Sequence, residues 1–138
     1  MKLEFLADLT AGGKYNPSIK KLVRLYDFGT EEARLFQQAI RNSIVECNGT
    51  LGLADLEFIE LVNCNVTFRI AEEDTGLTTG DDVFFFCDLM LPTYKEMLDI
   101  IDVFCKERKS YGHNWLYDPW ESGVKSHIEF LFSPGGTW

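Results

Sequence analysis

The sequence predicts an α+β domain of two layers, a mostly antiparallel sheet covered on one face by two helices. Short stretches alternating apolar and polar residues recur along the chain, as strands half-buried on a sheet require. Two other stretches repeat apolar residues at intervals of three and four, the period of a helix with one buried face. The stretches "RLYDFGTEEARLFQQAI" and "FFCDLMLPTYKEMLDII" each give a strand, an aspartate near its end, a threonine and a helix. That echo suggests duplicated β-α-β halves.

The opening "KLEFLADL" sets Leu3, Phe5, Ala7 and Leu9 against Lys2, Glu4 and Asp8, a half-buried strand. "TAGGKYNPS" reads as a loop, and "KLVRLYDF" as a second strand running into Gly29. Thr30 is expected to cap the first helix, with Glu31 and Glu32 meeting the free amides of its first turn. Ala33, Phe36, Ile40 and Ile44 form its apolar stripe, widened by Leu35 and Ala39, and the helix runs to about Glu46 before Asn48-Gly49.

"LEFIELV" and "NVTFRIA", joined by "NCN", read as a hairpin, the second strand turning Val66, Phe68 and Ile70 inward and Thr67 and Arg69 outward. "EEDTGLTTGDD" is polar enough for a surface loop. "DVFFFCDLM" looks apolar on both faces and belongs in the middle of a sheet. Thr93 with Glu96 matches a capping box for the second helix. Met97, Ile101, Phe104 and Cys105 form that helix's apolar face, and Lys106, Arg108 and Lys109 gather at its C-terminal end. "SHIEFLF" turns Ile128, Phe130 and Phe132 inward in a last strand.

With 138 residues, 46% hydrophobic and 25% charged, the chain suits a single domain over residues 1–138 with its own core. A net charge of -9 repels a phosphate backbone, so nucleic acid is a poor expectation as partner; the charge is compatible with a protein of basic surface or a cationic small molecule, and its commonest role is to keep an acidic domain in solution. Acids at Glu4 and Asp8 interrupt any leader-like apolar run, and no stretch approaches the length of a membrane span; a cytoplasmic location is expected. Cys47, Cys64, Cys87 and Cys105 lack a CxxC spacing and are expected as four free buried thiols. The triplets "NGT" at Asn48 and "NVT" at Asn65 match the glycosylation pattern but carry meaning only after export.

Catalytic motifs are missing: there is no GxSxG, HExxH or P-loop. His127 and Glu129 read as a pair on a sheet surface, since no third ligand stands at a recognisable spacing. The acids between Glu72 and Asp82 do not follow an EF-hand and suit a solvated loop. No metal or other cofactor is expected. Asp27 and Asp88, at corresponding strand ends, are the best available carboxylate pair, although cap or turn roles explain both.

The densest cluster of recognition chemistry is "YGHNWLYDPW". Trp115, Tyr117 and Trp120 combine large apolar area with polar tips, and His113 and Asp118 could orient a ligand. A lid over the core competes with a binding surface as the role of this segment. The features favour a noncatalytic protein-interaction module. Alternatives are a small-ligand-binding domain using residues 111–120, or a hydrolase with carboxylate or His/Asp acid-base chemistry.

Overall fold

A computed structural model describes residues 1–7, 21–106, 114–117 and 128–134. Its strands divide between two sheets. In the first, β1 (Lys2–Ala7) pairs antiparallel with β2 (Lys21–Tyr26), and β2 runs parallel to β9 (Ile128–Ser133), which pairs antiparallel with β8 (Asn114–Tyr117). The two-residue β4 (Glu60–Leu61) adds in parallel beside β1. The second sheet has the order β3 (Leu51–Gly52), β5 (Asn65–Ile70), β7 (Phe84–Leu89), β6 (Gly76–Thr79). Only the β5–β7 contact in it is parallel.

The predicted class holds: an α+β fold with mixed, mostly antiparallel pairing and two helices on one face. The repeated unit is larger than β-α-β. Each half is a pair of strands, a helix and a second pair, and each sheet joins the leading pair of one half to the trailing pair of the other through a parallel contact.

Helix α1 (Thr30–Ile40) continues as a π-helical stretch, Arg41–Glu46, and buries Ala33, Phe36, Ile40 and Ile44 as its periodicity predicts. Its cap is Gly29, whose carbonyl accepts the amide of Ala33 at 3.1 Å, so Thr30 is the first helical residue and not the cap. Leu35, expected to widen the buried stripe, is exposed. Helix α2 (Leu91–Phe104) buries Tyr94, Met97, Leu98, Ile101 and Phe104. Its capping box does not form. The Thr93 hydroxyl donates to the Asp74 carboxylate at 2.8 Å, and the same carboxylate accepts the Met90 amide at 2.8 Å. A loop residue sixteen positions before Met90 therefore satisfies the helix end.

Rings from both sheets and both helices meet in the core. Phe5 on β1 lies 4.9 Å from Phe85 on β7, and Phe68 on β5 lies 5.8 Å from Phe130 on β9. Phe36 of α1 and Phe104 of α2 both pack on Phe132.

The hairpin expected around "NCN" is not made. Glu60–Leu61 joins the first sheet while β5 joins the second, and Asn63 bridges the passage by exchanging two hydrogen bonds with the Phe5 backbone, 2.7 and 2.9 Å. The stretch expected as a polar loop contains β6, because Leu77 fits the core while Gly76, Thr78 and Thr79 pair with β7 on either side of it.

Candidate functional site

The aromatic segment singled out in the sequence is described only in part. Trp115 and Tyr117 belong to the backbone of β8, paired with Leu131 and Phe130 across an irregularity in register. Their side chains, and His113, Asp118 and Trp120 altogether, lie outside the described residues. His127 does so too. Its expected surface partner Glu129 is 3% exposed, because β9 is an inner strand, flanked by β2 and β8, with buried residues on both faces.

Asp27 and Asp88 are not brought together as a catalytic pair. Asp27 follows β2 in the first sheet, in a left-handed turn at φ 57°, 3.7 Å from the Lys2 ammonium. Asp88 lies in the second sheet, held by Arg69 through two charge-assisted bonds of 2.7 and 2.8 Å. Among the described residues no group of three or more His, Cys, Asp or Glu could hold a metal ion.

The thiols offer little nucleophilic chemistry. All four cysteines are free, but Cys47 is exposed, against expectation, since it caps the π-helical stretch beyond the last buried turn. Burial, with the Glu4 carboxylate nearby, pushes the Cys64 thiol up to about 12, and burial likewise raises Cys87 and Cys105. A buried thiol that keeps its proton is a poor nucleophile at neutral pH. Tyr94 is raised chiefly by burial as well, with its hydroxyl 2.6 Å from the carbonyls of both Arg69 and Cys87, which ties α2 to the second sheet.

A different surface stands out, the outer face of the second sheet. Along β7 the strand period sends Phe85, Cys87 and Leu89 into the core and leaves Phe84, Phe86 and Asp88 outside. Phe84 is 60% exposed and Phe86 40%, with Val83 at 44% just before them. Beside Phe86, the guanidinium of Arg69 sits 3.8 Å from the ring centroid while its nitrogens grip Asp88, the residue directly opposite Arg69 in register. That hydrogen-bonded carboxylate raises the Arg69 guanidinium further above its ordinary range.

The β6–β7 turn is built to hold Phe84 in place. The Asp81 carboxylate accepts the amides of Phe84 and Val83 at 2.9 and 3.0 Å, and these bonds hold its pKa below the usual carboxylate range. Thr79 donates its hydroxyl to the Phe84 carbonyl at 2.8 Å and accepts the Asp82 amide at 3.0 Å. Asp82 adopts φ 59°, a conformation aspartate tolerates better than most residues. On the opposite edge, Gly52 pairs with Thr67, and a side chain at Gly52 would come within 3.0 Å of the Asp55 carboxylate. Asp55 thus lies over the outer face, beside the row that leads through Thr67 to Phe86.

Sequence reasoning missed this face by reading three consecutive phenylalanines as buried on both sides. The signal was Asp88: Phe84 and Phe86 share its strand face, and a face ending in a carboxylate opposite an arginine meets solvent. No protein-family model matches the chain, and neither a curated protein nor a solved structure is significantly similar to it.

Proposed function

We propose that this chain is a noncatalytic protein-interaction module whose contact surface is the outer face of the second sheet. The observation that carries it is the exposure of Phe84 and Phe86 on an inner strand, held from below by the core and at one end by the Thr79–Asp81 turn. Rings fixed in this way lose little freedom when covered. Fully burying a phenylalanine contributes on the order of 1.5–3 kcal/mol, and covering the exposed part of each of these rings, 60% and 40%, contributes roughly half of that, the contribution expected of anchors at the centre of an interface. The Arg69–Asp88 pair presents a formally neutral polar margin. The segment containing His113, Trp115, Tyr117, Asp118 and Trp120 is a proposed second contact region on composition alone.

The test compares partner capture from native lysate by the unaltered chain and by the Phe84→Ser/Phe86→Ser variant, with each captured protein purified and its rebinding measured. A partner that rebinds the native chain and not the folded variant supports the proposal. Equal rebinding to both removes this face from the interaction.

A further inference from the structure

The charge of the chain is unevenly distributed. Residues 51–90 contain nine acidic residues and one basic residue, Arg69, for a net of -8, while the remaining 98 residues carry 13 acidic and 12 basic ones, a net of -1. Every strand of the second sheet falls within that segment. Its single cation is already committed to Asp88 and to the Phe86 ring. Acids surround the sheet that carries the exposed rings: Asp81 and Asp82 lie in the turn before Phe84, Asp55 over the outer face beside the β3 edge, and Glu72 and Glu73 follow the end of β5, three and four residues beyond Arg69.

Resting on the interaction reading above, we infer that the partner of this face is a basic protein segment. An apolar side chain of the partner seats on Phe84 and Phe86, and lysines or arginines around it meet the bordering carboxylates. An apolar centre within a charged rim is the usual anatomy of a specific interface, and the one-signed rim selects the partner by charge. A second copy of this chain is disfavoured as the occupant, because face-to-face packing would bring two sets of these acids together. Nucleic acid is repelled by the same field.

The probe is a labelled amphipathic peptide with a leucine stripe flanked by lysine and arginine. It is compared with a version carrying glutamate for its cations and another carrying serine for its leucines. The native chain is expected to bind the first at least about tenfold more tightly than either of the others at low salt. Asp82→Asn combined with Glu72→Gln and Glu73→Gln is expected to slow association several-fold and flatten its salt dependence, whereas Glu46→Gln with Glu96→Gln and Asp99→Asn, three charges removed outside this segment, leaves both nearly unchanged.

Equal binding of the basic and acidic peptides overturns the inference, as does equal slowing by the two triple variants. In either case, loss of a lysate partner by Phe84→Ser/Phe86→Ser leaves the interaction reading standing. If that double variant binds the basic peptide as well as the native chain does, the face is not the site and the inference falls. Sedimentation showing a dimer that this variant abolishes would make a second copy the occupant and overturn the inference as well.

Discussion

Asp74 shows how much one side chain can decide. Its carboxylate accepts from the Met90 amide and the Thr93 hydroxyl, so it supplies from another loop the service that the Thr93–Glu96 spacing predicts locally. Asp74→Ala is expected to cost about 1 kcal/mol in a urea melt, the usual value of a helix cap. Thr93→Ala made on top of it should cost much less than in the native background, because its partner is already gone. A purely additive cycle would show that the two do not act together. Cysteine titration offers a second check at this scale. The native chain should expose one fast-reacting thiol, Cys47, and the denatured chain four. Cys64 also couples stability to pH. Its thiol ionises near 9.0 when unfolded and at about 12 when folded. Between those values the folded state binds more protons, so the stability this group contributes is complete below pH 9 and falls as pH rises through the window. Cys64→Ala should flatten that part of the alkaline decline in chemical denaturation.

At the scale of an element, β7 divides its consecutive phenylalanines between two roles. Phe85 is buried against Phe5, whereas Phe84 and Phe86 face outward. Phe85→Ala is expected to cost about 3–5 kcal/mol, the range for deleting a core ring. Phe84→Ser and Phe86→Ser should each stay within about 1 kcal/mol of the native stability, Phe86→Ser losing also its contact with the Arg69 guanidinium. Similar large losses at all three positions would mean the outer face is core after all. The strand was legible in the sequence as an inner strand of a sheet, and that held. Which of its rings met water was not settled by their being apolar, since a face shared with Asp88 follows the strand period and not mean hydropathy.

For the molecule as a whole, charge and topology are coupled. The acidic segment 51–90 supplies every strand of the second sheet and, through β4, one edge of the first, so acids distant in sequence are drawn into the strands and connections of one region and repel one another. Screening that repulsion should raise the thermal midpoint as monovalent salt increases from about 0.01 to 0.15 M. A midpoint that fell over this range would show that attractive pairs such as Arg24–Glu4 and Arg69–Asp88 outweigh the crowding of acids.

Local pattern by itself determined the class of the fold, the placement of both helices, most strand positions and the inward set of Val66 and Phe68, because each depends on a period of two or 3.6 carried by neighbouring residues. It also supplied the net charge. Only the tertiary structure decided that Glu60–Leu61 and β5 part into different sheets, that Asp74 rather than a local residue caps α2, that Glu129 is buried, and that Phe84 and Phe86 are left uncovered. These outcomes depend on which distant segments become neighbours. A parallel contact between β5 and β7, or between β2 and β9, is made across intervening chain, and no window of adjacent residues records what will lie on the far face of the strand.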